Sequence, residues 1–399
     1  MTSNITQPQR LASVDILRAL TMLFMIFVND LWTLKGIPDW LEHVSAKADG
    51  LGFADTIFPA FLFITGMSVP LAIQQRQRKG DSTGQILWHI GKRFLALIVM
   101  GLWLVNGEYL NEAAAGIRRI SWNVLACTSF ILLWNDWPKT WKPLTLWMMR
   151  ATAIIVLGLL AFICRAGEPG TIHGFSTYWW GILGLIGWAY GAAAVVYTLS
   201  KGKLWICVIA FLFFLFLCGA HHAKWMSNNS VLGILFGPLQ SGSMPAFSMA
   251  GVVTMLVYQQ FISRNQVTKM IWMLFGMGIV MLLIGFWFRT FWGINKIRAT
   301  PAWVLICSAA TIFMFLIVYN IAETWGKAKW FEIIKPGGNN TLLCYLLPYF
   351  AYAFAVVSKI HLPEFVLTGG LGLVKSFAFA LLIIVIAGAL GQRGLRLRL

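Results

Sequence analysis

Apolar stretches of about 20 residues recur along nearly the whole chain, and they constrain the fold more than any other feature. A helix needs about 20 apolar residues to cross the hydrocarbon core of a bilayer. Of the 399 residues, 59% are apolar, against roughly 45–50% in soluble domains. A β-barrel would instead show segments of about ten residues with alternating polarity, and the sequence lacks that alternation. We therefore predict an all-α, polytopic integral membrane protein in a lipid bilayer.

Hydropathy divides the chain into about twelve candidate transmembrane helices, or ten if two of the stretches are re-entrant. The predicted spans are 15–34, 53–74, 87–106, 119–135, 144–163, 178–199, 204–220, 246–262, 270–290, 301–322, 340–358 and 366–390. Only short connections separate them, which leaves no room for a soluble domain. The sequence therefore predicts a single integral membrane domain over residues 1–399.

The net charge of +17 would suggest a nucleic-acid partner in a soluble protein. Here Lys and Arg concentrate in alternate short loops, among them 75–86, 200–203 and 263–269, as the positive-inside rule describes. We therefore expect no nucleic-acid partner, and we place these loops and both termini in the cytoplasm.

The polar N-terminus leads into the first span without a small-residue cleavage site, so we expect that span to be retained. We expect the membrane to be a bacterial inner membrane.

The cysteines and histidines give little support for a disulfide or metal site. The six cysteines lack CxxC spacing and lie in apolar segments, which is typical of small buried side chains. His221 and His222 are adjacent but have no third ligand at zinc-site spacing, so we expect no metal. Walker and dinucleotide-binding loops are also missing from any credible context. A nucleotide-bearing substrate would therefore have to bind at the ends of membrane helices.

Ionisable residues begin each of the first two spans. Asp15 and Arg18 lie one turn apart, and Ser13 is a candidate N-cap for the first helix. Asp55 begins the second span, where an acid is also favoured by the helix dipole. Pro59 lacks the N–H that would bond the carbonyl of Asp55. We expect that unpaired carbonyl to lie beside the carboxylate and to offer a place for a polar ligand.

Two further polar residues lie near the predicted outer end of these spans. Asn29 ends the apolar run "LTMLFMIFVN", and His43 follows 14 residues later in the connection to Asp55. A buried amide in a span is costly unless it has a partner, although an amide at a span's end can face interfacial water. The spacing permits Asn29, His43 and Asp55 to converge at one vestibule within the membrane.

The segment 228–251 is apolar but interrupted by Gly and Pro. Irregular backbone at membrane depth is tolerated where it packs in protein or lines a wet cavity. One interpretation is a segment that dips over an outward-facing cavity, and the other is an ordinary surface loop.

The order "SVDILRALTMLFMIFVN", then a histidine, then "FADTIFPAFLFITGMSVPL" resembles the opening of the transmembrane acyltransferases related to heparan-α-glucosaminide N-acetyltransferase and its bacterial sugar-acetylating relatives. Similarity continues in "IRRISWNVLACTSFILLW", "NKIRATPAWVLICSAATIFMFLIVY" and "KPGGNNTLLCYLLPY". The most specific element is the succession of asparagine, histidine and the pattern ADxxFPxFLFxxG.

The resemblance implies transfer of acetyl from cytoplasmic acetyl-CoA to the amine of a glucosamine-type aminosugar on the outer side. By position, His43 would be the catalytic histidine, Asn29 its polar partner and Asp55 a substrate-binding residue. A neutral imidazole is suited to take a proton from an amine, and the Asn29 amide could hold an oxyanion. Direct transfer and an acetyl-His43 intermediate both remain open.

The predictions of the acetyl-CoA ligands and of the oligomeric state rest on weaker patterns. Phosphates favour guanidinium groups, so Arg18 and Arg93 are the predicted acetyl-CoA ligands. The relatives' loop resembling DPEGLLSTxP reads "FGPLQSGSMP" here and lacks its acids, which favours a different or smaller acceptor. We also expect a homodimer. The alternative function is a transporter or flippase for sugars or lipid-linked sugars, although no repeat of broken helices supports it.

Overall fold

The computed structural model describes residues 11–138, 140–168, 170–225 and 231–399. Helices dominate these residues, and the described part of the chain contains isolated β-bridges but no strand of a sheet. The first eight α-helices are α1 (Ala12–Asp30), α2 (Ala54–Arg78), α3 (Thr83–Glu108), α4 (Glu112–Ala115), α5 (Arg119–Trp134), α6 (Pro143–Ile163), α7 (Ile182–Leu199) and α8 (Leu204–His222). The remaining seven are α9 (Val231–Gln240), α10 (Ser243–Ile262), α11 (Val267–Trp292), α12 (Pro301–Tyr319), α13 (Lys335–Asn339), α14 (Thr341–Val357) and α15 (Gly369–Gln392).

Every predicted span corresponds to one of these helices. In the described residues ten helices are long and apolar enough to cross a membrane. The helical segments Ala328–Asn339 and Thr341–Val357 form an eleventh span if they are taken together, with a bend of 77° between them. The one predicted span that remains, 119–135, is α5, an apolar helix of 16 residues. The structure thus confirms an all-α, polytopic integral membrane protein.

Local sequence signals explain several helix starts. Ser82 and Gln85 form a capping box at the start of α3, in which each side chain accepts from the other's backbone N–H, at 3.3 and 2.7 Å. Thr300 caps α12, and Pro301 occupies its first position. The predicted Ser13 cap is wrong: Leu11 is the N-cap of α1. The Ser13 backbone N–H is instead satisfied by Glu323 at 3.1 Å.

Helix α10 lies at the centre of the bundle and contacts α2, α7, α8, α11 and α12. Glycines allow α2 and α10 to approach closely. A Cβ atom at Gly66 would lie 1.9 Å from the carbonyl oxygen of Ser248, and one at Gly251 would lie 1.9 Å from that of Phe63. Small residues of this kind let helix backbones meet in membrane proteins. Helices α6, α8, α11 and α15 are the least buried spans.

The alternation of the spans divides the connections between two faces. We call the face that carries residues 31–53, 109–118, 164–181, 293–300 and 358–368 the histidine face, because it includes His43. We call the opposite face, with residues 79–82, 135–142, 200–203, 263–266 and 393–399, the arginine face. Contacts such as the bridge between Lys35 and Thr368 join connections on one face, and the bridge between Asn135 and Leu397 does so on the other.

The segment that follows the undescribed residues 226–230 forms α9, which has a kink at Phe236 and packs against α7, α8 and α10. The prediction made for 228–251 falls partly outside the described residues. Its cover over an outward-facing cavity stays a prediction. The six cysteines are free and buried, as predicted.

Candidate functional site

His43 and Asp55 meet on the histidine face. His43 Nδ1 lies 2.7 Å from Asp55 Oδ1. The other carboxylate oxygen, Oδ2, accepts the backbone N–H groups of Val44 at 3.0 Å and Gly52 at 3.1 Å. The Asp55 side chain is fully buried, whereas that of His43 is 45% exposed. The carboxylate therefore holds the ring from inside while one edge of the ring faces the solvent.

This arrangement fixes the roles of the two ring nitrogens. A carboxylate that receives two backbone N–H groups on one oxygen is stabilised in its ionised form, which only accepts hydrogen bonds. We therefore assign the proton to Nδ1, which donates it to Asp55. The lone pair then lies on Nε2. An imidazole oriented by a carboxylate in this way can act as a general base or as a nucleophile.

In the connection between His43 and Asp55, the backbone at Gly52 lies close to the backbone of Glu42. A Cβ atom at Gly52 would lie 1.8 Å from the carbonyl oxygen of Glu42, so only glycine fits there. Gly52 also supplies one of the two N–H groups that reach the Asp55 carboxylate. The glycine in the connection is therefore needed for the turn that returns the chain to the start of α2.

The predicted free carbonyl of Asp55 is wrong. Pro59 does leave it without its helical partner, but the indole Nε1 of Trp303 on α12 donates to it at 3.0 Å. Trp303 is fully buried, and a buried carbonyl without a donor is costly, so a partner from another helix fills the place. This carbonyl is a packing contact between α2 and α12 and does not offer a ligand site.

Asn29 lies near the end of α1, and its side chain is exposed. Within the described ranges it makes no hydrogen bond to His43 or to Asp55. The next residue, Asp30, is 1% exposed and accepts from Tyr352, Ser376 and Lys375 at 2.6–2.7 Å. The structure brings His43 and Asp55 into direct contact, and their convergence at one vestibule within the membrane stays a prediction. The same holds for Asn29.

Lys296 is a residue of this site that the sequence did not reveal. Its Nζ lies 3.2 Å from Nδ1 and 3.3 Å from Nε2 of His43. Burial lowers the pKa of Lys296 from its ordinary value, and the Asp55 carboxylate opposes that shift. The separation of 253 positions from His43 hides this pairing in the sequence. The signal in the sequence was the position of Lys296, a lysine in a connection on the face opposite the basic loops.

A cavity of about 1020 Å³ lies at the other end of the helices, on the arginine face. It is lined by parts of α1, α2, α3, α7 and α14 and by the C-terminal segment. Its cationic residues are Arg18, Arg76, Arg78, Arg93 and Arg398. Such a cavity suits a ligand with several phosphate groups, because guanidinium groups pair with phosphate oxygens through two hydrogen bonds.

Both arginines predicted for the cofactor line this cavity. Arg18 donates to Asp15 at 3.1 Å and to Ser68 at 2.6 Å. Arg93 stacks with its guanidinium carbon 4.5 Å from the centre of the Tyr190 ring. Its buried Nε has no hydrogen-bond acceptor among the described residues. Arg76, Arg78 and Arg398 were missed, since topology alone accounts for basic residues in such loops.

The cavity extends deep between α1 and α2. On α1 it is lined from Val14 to Met25, which spans about 17 Å of helix. Its deep end is apolar and includes Phe61, which lies about 9 Å along α2 from Asp55. The cationic mouth and the histidine site are therefore at opposite ends of the same two helices, and the apolar end of the cavity lies between them.

Comparison with known proteins agrees with the resemblance seen in the sequence. The chain is 37% identical over 103 residues to human heparan-alpha-glucosaminide N-acetyltransferase, which covers 26% of this chain and 15% of the human protein. The mouse protein of the same name is 37% identical over 101 residues, or 25% and 14% of the two chains. The chain thus spans only about 15% of the length of the curated relatives it matches.

The family comparison covers more of the chain. Residues 10–234 match the profile described as a domain of unknown function, DUF5009. The match includes Arg18, Asn29, His43, Asp55 and Arg93. Because it covers more than half of the chain, the chain belongs to the DUF5009 family, among membrane proteins related to heparan-alpha-glucosaminide N-acetyltransferase.

Proposed function

We propose that this protein transfers acetyl from acetyl-CoA to the amine of a glucosamine-type aminosugar across the membrane. The observation that carries the proposal is the pairing of His43 with Asp55 at one end of α2 and the arginine-lined cavity at the other. An acyl transfer to an amine needs a base, and the cofactor needs cations for its phosphates. The names of the similar proteins agree with this reaction class.

Acetyl-CoA would bind from the arginine face. Arg18 and Arg93 would hold phosphate groups together with the arginines missed in the sequence, and the apolar deep end would receive the pantetheine arm. The start of α14 also lines the cavity, through Thr341 and Leu342, and a helix N-terminus favours an anion. Under this proposal the arginine face and both termini lie in the cytoplasm of a bacterium.

The aminosugar would bind at the histidine face. His43 Nε2 would take the proton that the amine loses when it attacks the acetyl carbon, and Asp55 would stabilise the resulting imidazolium. Asp55 would then act mainly through His43, because both of its oxygens are already occupied by His43, Val44 and Gly52. This differs from the direct aminosugar contact that the sequence predicts for Asp55.

The proposal is tested with purified protein in lipid vesicles that hold acetyl-CoA on one side and glucosamine on the other. Mass spectrometry of the sugar gives the answer. We expect N-acetylglucosamine to form and free CoA to appear on the donor side. Uptake of unmodified sugar would instead support the transporter alternative and contradict the proposal.

A further inference from the structure

Lys296 lies beside the His43 ring in an unusual position. Its Nζ is nearly equidistant from the two ring nitrogens, at 3.2 and 3.3 Å. A donor in line with the Nε2 lone pair would be much farther from Nδ1, which lies on the other side of the Cε1 atom. The Nε2 lone pair therefore stays open to a substrate, while a cation sits next to the place where the substrate would react.

The backbone around Lys296 is fixed by a network between two connections of the histidine face. The preceding residue, Asn295, is fully buried and donates to the carbonyls of Ser45 at 2.8 Å and Ala48 at 3.0 Å. Asp49 accepts from the Ile294 N–H at 2.7 Å and from Arg289 Nε at 2.9 Å. Loop 293–300 is thus tied to the loop that carries His43.

The charges around the histidine can be assigned one by one. Asp55 on α2 carries the negative charge, and Lys296 on loop 293–300 is the cation within hydrogen-bond distance of the ring. The buried Cys307 thiol on α12 is close enough to interact electrostatically with Asp55 and Lys296. Asp49 is already paired with Arg289. Among the described residues Lys296 is therefore the cation placed to meet negative charge that develops beside Nε2.

We propose that Lys296 is a catalytic residue that donates a hydrogen bond to the oxyanion of the acetyl group during transfer. The inference rests on the proposed function. As the amine nitrogen bonds to the acetyl carbon, the carbonyl π electrons move to the oxygen, which accepts an N–H of Lys296. When those electrons return, the C–S bond breaks. The CoA thiolate then takes the proton that His43 Nε2 removed from the amine.

Lys296 thus has the oxyanion-binding role that amide chemistry also allows for Asn29. An ammonium has three N–H donors, so Lys296 can turn one toward the oxyanion while it remains beside the ring. Removal of an oxyanion donor typically lowers kcat about 10² to 10³-fold. We expect a loss of that size in Lys296→Met, with the KM for acetyl-CoA unchanged. Lys47 is an exposed lysine on the same face, and we expect the control variant Lys47→Met to retain wild-type kcat.

A chemical rescue separates charge from folding. Lys296→Cys is treated with 2-bromoethylamine, which rebuilds an ammonium of nearly the same length, or with methyl methanethiosulfonate, which adds a neutral group. The six native cysteines are buried, and the unmodified wild type treated with each reagent controls for their reaction. We expect aminoethylation to raise kcat at least about tenfold, a change of about 1.4 kcal/mol in the barrier, and the neutral adduct to give no increase.

Equal kcat values for the two adducts, or wild-type kcat in Lys296→Met, would overturn the inference. If Lys296→Cys fails to fold, Lys296→Arg and Lys296→Gln are compared at equal folded amounts, and only the arginine variant is expected to retain part of the rate. Turnover of glucosamine by the wild type distinguishes failure of the proposed function from failure of the role assigned to Lys296. A wild type without turnover contradicts the proposed function, whereas an active wild type with equal adducts contradicts only the role of Lys296.

Discussion

Trp303 on α12 donates its indole N–H to the Asp55 carbonyl that Pro59 cannot pair within α2. The same Asp55 holds His43 through its side chain. Asp55 therefore takes part in two contacts. Its carbonyl, left free by the proline, binds α12, and its carboxylate binds the candidate base. The proline break does not open a ligand site. It provides an acceptor through which α12 fixes the start of α2.

Replacement of Trp303 by Phe should destabilise this junction. The variant keeps a ring against Phe247, whose centre lies 4.8 Å away, but leaves the buried Asp55 carbonyl without a donor. We expect the free energy of unfolding to fall by about 1–3 kcal/mol, measured by chemical denaturation in detergent. Trp205→Phe, at a tryptophan that is 62% exposed, is the matched control. An equal effect of both substitutions would contradict the role of the hydrogen bond.

Close approach of α2 and α10 should depend on Gly251. An alanine there would bring its Cβ atom to 1.9 Å from the Phe63 carbonyl oxygen, which belongs to rigid backbone. We expect Gly251→Ala to give little folded protein by size-exclusion chromatography. Gly276→Ala on α11 is the control, since nothing lies within 4 Å of its added Cβ atom. Normal folding of both variants would show that the two helices can separate at little cost.

The buried ion pair between Asp30 and Lys375 should be needed for stability. The two side chains are 2% and 17% exposed and lie 2.7 Å apart. Removal of one partner leaves the other charge buried, which typically costs about 3–5 kcal/mol. Lys375→Met should therefore lower the unfolding temperature strongly. Lys35→Met, whose partner Glu364 is 77% exposed, should have little effect, and a similar loss in both would contradict this account of the pair.

Asn29, unlike the neighbouring Asp30, should contribute little to stability. Its side chain is exposed, so Asn29→Ala should leave the unfolding temperature unchanged. If the amide is a second donor to the oxyanion beside Lys296, kcat should fall while the KM for glucosamine is retained. Steady-state kinetics on purified protein distinguishes the two parameters. Wild-type kcat in Asn29→Ala would remove it from the site.

Acetyl-CoA affinity should depend on the cavity arginines. Arg18→Gln and Arg93→Gln each remove a cation from the lining, and a hydrogen bond to a charged group contributes about 1.5–3 kcal/mol. We expect the Kd for acetyl-CoA to rise roughly 10- to 100-fold in isothermal titration calorimetry. Arg150→Gln, at an exposed position outside the cavity lining, is the control. Unchanged affinity in the two cavity variants would place the cofactor elsewhere.

Hydropathy was sufficient to predict the membrane architecture, because the length of each apolar run reflects the thickness of the bilayer. The 178–199 span begins later than predicted, at Ile182, since the aromatic residues 178–180 belong to a connection. The pairing of His43 with Asp55 was also predictable, because only a short connection separates them. Their hydrogen bond joins residues only 12 positions apart.

The rest of the site depends on contacts between distant segments. Trp303 lies 248 positions from Asp55, and Lys296 lies 253 positions from His43. Periodicity carries no information on which connection meets which across a face of the bundle. Arg76, Arg78 and Arg398 were not predicted to line the cavity for another reason. A basic residue at a membrane surface satisfies the topology whether or not it also lines a cavity, and only the three-dimensional arrangement separates the two.

Turnover of glucosamine by His43→Ala at saturating acetyl-CoA tests the proposed function most directly. His43 is half exposed on the histidine face, far from the arginine cavity, so the variant should fold and bind acetyl-CoA with wild-type affinity. We predict that it forms no acetylated sugar above the uncatalysed background. Wild-type turnover by this variant would contradict the assignment of His43 as the base or the acetyl carrier.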